Sequence, residues 1–387
     1  MIQRSSSGIG SLLKSSVFSS FSSKLGARSY AAQVASSLQH ACEPASFSDD
    51  DCADIDWNHL GFSLTPTDYM YIMKCSNNEN FLQGQLCRYG NIELSPSAGV
   101  LNYGQGLFEG TKAYRREDGG LFLFRPDQNA IRMQIGAERM CMPSPSVEHF
   151  INAVKETALA NKRWIPPPGK GSLYIRPLLI GSGPILGLAP APESTFLVYA
   201  SPVGNYFKEG TAPLNLYVED EIHRASRGGA GGIKSITNYA PVLKAIRRAK
   251  DRGFSDVLYL DAVKKKNIEE VSSCNIFVIK GNVIATPITT GTILEGVTRK
   301  SIMDIATDLG YQVEERTIPV DELVDADEVF CTGTAVGIAA VGSITHNGNR
   351  IEYKMHPDLA SKKLYNRYVG IQSGKFEDKR GWVVQID

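Results

Sequence analysis

Between Gly228 and Tyr239 the chain reads Gly-Gly-Ala-Gly-Gly-Ile-Lys-Ser-Ile-Thr-Asn-Tyr, and no other stretch restricts its fold so tightly. Four glycines in five positions strip the backbone of side chains, so that it can adopt positive φ or admit another group at close range. A single lysine follows, between Ile233 and Ile236. A lysine in apolar surroundings loses its hydration, and a desolvated amine is the side chain that forms a Schiff base with a carbonyl. A glycine-rich loop with a solvated lysine has the same local sequence. The rest of the chain has to separate the two.

Bulk properties narrow the classes. A chain of 387 residues is long enough for two domains, and 42% hydrophobic with 21% charged residues is ordinary for a soluble globular protein. Lysine plus arginine equals aspartate plus glutamate at 41 each, which leaves no electrostatic case for nucleic acid or an anionic membrane surface. No apolar run approaches the roughly 20 residues of a membrane helix. The expected partners are therefore small molecules, with neither nucleic acid nor membrane. Seven scattered cysteines form no C-x-x-C pair and no zinc-binding Cys/His spacing, so reduced thiols and no metal are expected.

The first thirty residues stand apart. Eleven are serine, the charges are Arg4, Lys14, Lys24 and Arg28, and no acid occurs before Glu43. Ile9, Leu12, Leu13, Val17 and Phe21 fall on one face of a helix, the composition of an organellar transit peptide. Arg28-Ser29-Tyr30-Ala31 resembles the cleavage motif of plant mitochondrial presequences. Serine richness also suits a chloroplast, and the expectation is a mitochondrion with a chloroplast as the alternative. Residues 31–55, acidic around Asp49 to Asp51, read as a flexible lead-in.

Residues 56–203 read as a small α/β domain. Short strands lie over Met70 to Met73, Gly99 to Tyr103 and Leu121 to Phe124, helices begin at Pro126 and Val147, and an apolar strand over Ser172 to Ile180 is interrupted by Arg176. A charge there is costly unless paired. Residues 204–213 shift to Gly, Asn, Lys and Glu, as in an interdomain linker. Residues 214–387 alternate strands and helices as a larger domain, with helices over Pro241 to Arg252 and Arg299 to Leu309. The fold class expected is α/β of the α+β type, with the active site where the two domains meet.

If Lys234 forms a Schiff base, the cofactor to test is pyridoxal phosphate. Its phosphate needs free amides at a helix start, which Gly296-Val297-Thr298 offers, and a guanidinium such as Arg132. Its pyridine nitrogen needs a carboxylate that keeps it protonated, since a pyridinium ring is the better electron sink. Glu270, placed just before a strand, is able to point from a loop end into a cleft.

Six segments in one order, Tyr103 to Ala113, Ser172 to Ile180, Gly228 to Tyr239, Glu270 to Phe277, Leu294 to Arg299 and Thr332 to Ala335, resemble the signature blocks of branched-chain amino acid aminotransferases. These are two-domain, fold-type IV pyridoxal 5'-phosphate enzymes, and the likeness, which runs from about Trp57 to the C-terminus, is to the plant organellar members. The resemblance implies that Lys234 is the catalytic lysine that binds the cofactor and moves the proton at Cα. It places Tyr239 on the ring hydroxyl, Glu270 on the ring nitrogen, and Arg132, Val297, Thr298 and Thr334 on the phosphate. It implies that the substrate carboxylate meets the backbone near Thr334 and Ala335. Tyr103, Phe108 and Tyr174 would wall a pocket for leucine, isoleucine and valine, completed by Leu186 and Leu188 from the second subunit of a homodimer.

Such a pocket must also accept the side-chain carboxylate of glutamate and of 2-oxoglutarate, and Arg176 is the group to pair with it. The alternative within the same fold is a D-amino acid transaminase or an aminodeoxychorismate-type lyase. Arg176 in Tyr-Ile-Arg-Pro and the Phe108-Glu109-Gly110 block favour the branched-chain reading. The C-x-x-C redox switch of mammalian members is replaced by Val336 and Ala339, so thiol regulation of that kind is not expected. Ser272-Ser273 likewise stands where mammalian members have Gly-Thr.

Overall fold

The computed structural model describes residues 52–77, 79–207 and 212–386. The expected leader, most of the lead-in and residues 208–211 of the expected linker lie outside them. Order is already present at Ala53, which is buried and donates its N–H to the Arg163 carbonyl at 2.8 Å, so the packed region starts before Trp57.

In chain order the main elements are β1 (Tyr69–Ser76), β2 (Gln85–Arg88), α1 (Gly99–Tyr103), β3 (Gly106–Phe108), β4 (Thr111–Arg115), β5 (Leu121–Phe124), α2 (Pro126–Arg139), α3 (Val147–Ala160), β6 (Ser172–Gly181) and β7 (Glu193–Val203). They are followed by β8 (Leu214–Glu219), α4 (Leu243–Asp251), β9 (Asp256–Leu260), β10 (Asn267–Val271), β11 (Asn275–Lys280), β12 (Val283–Pro287), α5 (Val297–Asp308), β13 (Gln312–Arg316) and β14 (Ile318–Pro319). β15 (Glu328–Gly333), β16 (Gly337–His346), β17 (Asn349–Glu352), α6 (Ala360–Gln372) and β18 (Val383–Gln385) complete the chain.

The strands form two sheets. The first is antiparallel, in the order β18-β5-β4-β6-β7-β1-β2, with β3 also paired to β6. The second runs β13-β12-β11-β15-β16-β8-β9-β10-β14, with β17 on β16, and is mixed: β8 is parallel to both β9 and β16, and β12 to β13. Parallel neighbours need a crossover, and α4 and α5 lie in the connections from β8 to β9 and from β12 to β13.

Two differences from the sequence reading bear on the site. Gly99 to Tyr103 is a short helix ended by Gly104 in the left-handed region (φ 65°), the usual helix-stopping role of glycine. Glu270 lies inside β10 rather than at a loop end, and the pairing of β10 with β9 shifts register between Ile268 and Val271.

Packing follows the residue pattern. In α3, Phe150, Ala153, Val154, Thr157 and Ala158 are buried at helical spacing against the first sheet, and the Ser146 side chain caps the helix by accepting from the His149 N–H at 3.1 Å. A second cluster joins Phe277 and Phe330 of the second sheet to Ile302, Ile305, Leu364 and Tyr368 on α5 and α6, and to Phe124 and Trp382 beside the first sheet. The C-terminal strand β18 thus returns to the first sheet. The lysine loop meets that sheet too, since the Phe108 N–H donates to the Lys234 carbonyl at 3.2 Å and Leu107 bridges to Ser235.

Candidate active site

The glycine-lysine stretch owes its shape to close approach more than to positive φ. Gly228 alone among its glycines has positive φ (79°). A Cβ on Gly231 would lie 2.4 Å from the Ala225 side chain and 2.6 Å from the Thr292 carbonyl, and one on Gly232 would lie 3.1 Å from Gly291. The loop therefore lies flat on residues 291–292. Asn238 then ties it down, donating to the carbonyls of Ala230 and Ile233 at 2.8 and 2.9 Å.

Held in this way, the Lys234 amine faces a cavity of about 550 Å³, within the usual range for a small-molecule site. Nζ donates to the Tyr239 hydroxyl at 3.2 Å and lies 4.6 Å from the centre of the Phe108 ring. The solvated-loop alternative is thereby removed.

On the floor of the cavity Glu270 is 2% exposed. Burial pushes its carboxyl up to about 7, even though Arg224 and the Leu294 N–H draw it down. Its Oε1 is ion-paired with the buried Arg224 and accepts from the Leu294 N–H at 3.2 Å.

At one end α5 begins at Gly296 with no side-chain cap, so the first amides of the helix are open to the cavity, which Gly296, Val297 and Thr298 line. Arg132 from α2 reaches the same end. Glu109, fully buried, grips it in a bidentate pair at 2.8 and 2.7 Å, and Arg132 Nη1 donates to the Glu295 carbonyl at 3.0 Å. Burial works against the guanidinium charge, but Glu109 outweighs it and raises the pKa above its ordinary value. Thr334 and Ala335 lie in the tight turn between β15 and β16, and Lys112 anchors that turn by donating to the Ala335 carbonyl at 2.9 Å.

The opposite wall is aromatic. Phe62 stands edge-on to Tyr174 and Tyr206 at 5.1 and 4.9 Å between ring centres, beside Phe108 and Leu178. Arg176 lies over the Phe108 and Tyr174 rings at 4.7 and 5.2 Å. Its Nε is buried without a hydrogen-bond partner, and among the described residues no carboxylate pairs with it. Such an arginine is a receptor for an anion from outside the chain.

These residues fit pyridoxal phosphate on four observations. There is an amine against a tyrosine hydroxyl, a buried carboxylate, an uncapped helix start beside an arginine, and a buried Thr332 hydroxyl without a partner in the same cavity.

Of the expected site residues, Lys234, Arg132, Tyr239, Glu270, Val297, Thr298, Thr334, Phe108, Tyr174, Arg176 and Ala335 line one cavity. Tyr103, Leu186 and Leu188 do not. Tyr103 is no wall of its own chain's pocket: it is 39% exposed and its hydroxyl donates to the Leu186 carbonyl, while Leu186 and Leu188 are 89% and 87% exposed. Cys274 lines the cavity, but burial pushes its thiol up to about 12, which makes it a poor nucleophile at neutral pH.

Arg224, Glu109, Lys112, Phe62 and Tyr206 were not singled out by the sequence. Glu109 carried a signal, being one acid inside Leu107-Phe108-Glu109-Gly110. Arg224 carried none that distinguishes it from the exposed Arg227 three residues on.

Comparison with known proteins agrees with this geometry. The family description "Amino-transferase class IV" matches residues 106–344. The chain is 67% identical, over 92% of its length and 93% of the relative's, to the chloroplastic branched-chain-amino-acid aminotransferase 2 of Arabidopsis thaliana. It is 65% identical, over 91% and 90%, to the mitochondrial branched-chain amino acid aminotransferase 1 of Humulus lupulus. Among solved structures, a bacterial-type relative designated T.th., a branched-chain amino acid aminotransferase complexed with N-(5'-phosphopyridoxyl)-L-glutamate, is 28% identical with a TM-score of 0.69, covering 83% of this chain and 99% of that one. The chain belongs to the class IV aminotransferases and, within them, to the branched-chain amino acid aminotransferase family.

Proposed function

We propose that this protein transfers the amino group reversibly between leucine, isoleucine or valine and 2-oxoglutarate, with pyridoxal 5'-phosphate as cofactor. One observation carries the reading: the Lys234 amine, the buried Glu270 carboxylate and the open amides of α5 face one cavity whose other wall is apolar and holds an unpaired arginine. When bound, the cofactor supplies an aldehyde that links to amines and a ring that accepts the electron pair left when Cα loses its proton.

The residues of the chain do the rest. Lys234 Nζ is the group that removes the proton from substrate Cα, steered by the Tyr239 hydroxyl 3.2 Å away. Glu270 holds a proton at the ring nitrogen. Arg132, the amides of Val297 and Thr298, and Thr334 hold the phosphate, with Arg132 kept in line by Glu109. The backbone at Thr334 and Ala335 receives the substrate's α-carboxylate. Phe62, Phe108, Tyr174 and Leu178 exclude water and pack the branched side chain. For glutamate, Arg176 pairs with the second carboxylate.

Tyr103, Leu186 and Leu188 belong, in this reading, to the interface of a homodimer and reach the second subunit's pocket. Their exposure in the single chain supports this. We assign residues 56–203 and 214–387 to two domains with the site between them, supported by the separation of the two sheets, although β18 returns from the second part to the first sheet. An organellar address is supported by the serine-rich, acid-free N-terminus and by relatives named for both organelles, and Arg28-Ser29-Tyr30-Ala31 favours the mitochondrion. The relatives support the branched-chain activity over the D-amino acid transaminase and the lyase.

The test is a coupled assay of the purified protein against L- and D-amino acids with 2-oxoglutarate, alongside borohydride reduction. The expected result is activity with L-leucine, L-isoleucine and L-valine, and a reduced adduct on Lys234. Activity confined to D-amino acids, or an unmodified Lys234, would overturn it.

A further inference from the structure

The Arg224–Glu270 pair has a geometry that the reaction as described does not use. Arg224 is 6% exposed and Glu270 2%. The guanidinium spans three parts of the site: Nη1 is paired with Glu270 Oε1, Nε donates to the Ser272 carbonyl at 3.2 Å, and Cζ lies 5.8 Å from the centre of the Tyr239 ring. Both polar contacts to Glu270, from Arg224 and from the Leu294 N–H, fall on Oε1, and among the described residues none reaches Oε2. The carboxyl is therefore clamped by one oxygen and offers the other.

We propose that Arg224 is a positioning residue that holds the Glu270 carboxyl under the cofactor ring and decides on which side of the contact with the ring nitrogen the shared proton rests. This rests on the cofactor reading above. Glu270 and the ring nitrogen hold one proton between them, and its place follows the relative basicity of the two atoms. A guanidinium stays charged at any working pH and favours the ionised carboxylate, so the proton sits on nitrogen. Without that charge, burial favours the neutral acid, the proton returns to Glu270, and the ring nitrogen is left neutral and a poorer electron sink.

The other charges around the pair do not replace Arg224. Glu269, beside Glu270 on β10, disfavours a second negative charge, and Lys234 acts in the opposite sense from the glycine loop. Asp256 on β9 faces Arg224 from behind and is engaged with the Ser272 hydroxyl at 2.6 Å; burial raises its carboxyl above the ordinary range. The buried Cys274 thiol faces Glu270, Lys234 and Asp256 and is un-ionised at neutral pH.

The experiment compares the full-length wild type with R224Q and R224K. Two readouts are followed: the NMR shift of an isotope-labelled ring nitrogen in the cofactor-bound proteins, and the carboxyl titration of Glu270 in the cofactor-free ones. Expected is a pyridinium shift in the wild type, a move towards the neutral-pyridine shift in R224Q, and a Glu270 midpoint higher by about one pH unit or more in R224Q. R224K keeps the charge but is too compact to span Glu270 and the Ser272 carbonyl. It should retain the pyridinium shift and bind the cofactor about tenfold more weakly. An R224Q protein with the wild-type nitrogen shift and Glu270 midpoint overturns the proposal. If R224Q does not fold, R224K decides, and wild-type cofactor affinity in that variant overturns it. A wild type that takes up no pyridoxal phosphate refutes the cofactor reading instead.

Discussion

Arg176 carries a charge that the fold leaves open. Its Nε is buried and unpartnered, it bonds the Tyr174 hydroxyl weakly at 3.4 Å, and its plane rests on two aromatic rings. With leucine bound, those rings and the tyrosine are its company; with glutamate bound, a carboxylate completes it. Arg176→Ala should therefore lower kcat/KM for glutamate and 2-oxoglutarate by about ten- to a hundredfold, the value of a charge-assisted bond, and affect leucine much less. Measuring both half-reactions on the same preparation checks this, and equal losses would contradict the assignment. This role was legible in the sequence because an arginine between Ile175 and Pro177 in an apolar strand needs a reason. Arg224 was not legible, because it stands in a polar loop where Arg227 looks the same and only packing buries one of them.

At the level of elements, the site depends on how α5 is entered. Gly296 has backbone angles open to any residue (φ −64°, ψ 133°), yet a Cβ there would lie 2.1 Å from Asn275 Oδ1. The Asn275 amide in turn holds the Leu294 carbonyl at 2.9 Å, and Leu294 supplies the N–H that meets Glu270. Gly296→Ala should push Asn275 aside and disturb both the helix start and the Glu270 clamp. Cofactor affinity is expected to fall about tenfold and stability by about 1–3 kcal/mol, the usual cost of overpacking. Absorbance titration with pyridoxal phosphate and a thermal melt test it; unchanged values in both would show that the contact relaxes freely. Helices with a buried stripe, such as α3, were readable from spacing. The helix at Gly99 to Tyr103 was not, because five residues show no period and its one signal was the stop at Gly104.

On the scale of the whole molecule, the apolar residues left outside the single chain's core matter most. Leu186 and Leu188 are almost fully exposed beside Tyr103 and Leu101, where solvent contact costs hydrophobic free energy that a second copy would recover. Replacing both Leu186 and Leu188 by serine should shift the protein from dimeric to monomeric mass in light scattering and raise KM for leucine, with the circular dichroism spectrum unchanged. A wild type that runs as a monomer with full activity would remove the interface reading. What followed from the sequence alone was the chemistry: a lysine after glycines, a helix start able to bind an anion, and an arginine in an apolar strand, each a local pattern whose meaning lies in residue types and spacing. Which acid, which arginine and which aromatic rings meet that lysine was decided only by the tertiary structure. Glu270 and Glu269 are chemically the same, as are Arg224 and Arg227. Desolvation and charge pairing separate them, and both belong to neighbours brought together from distant parts of the chain.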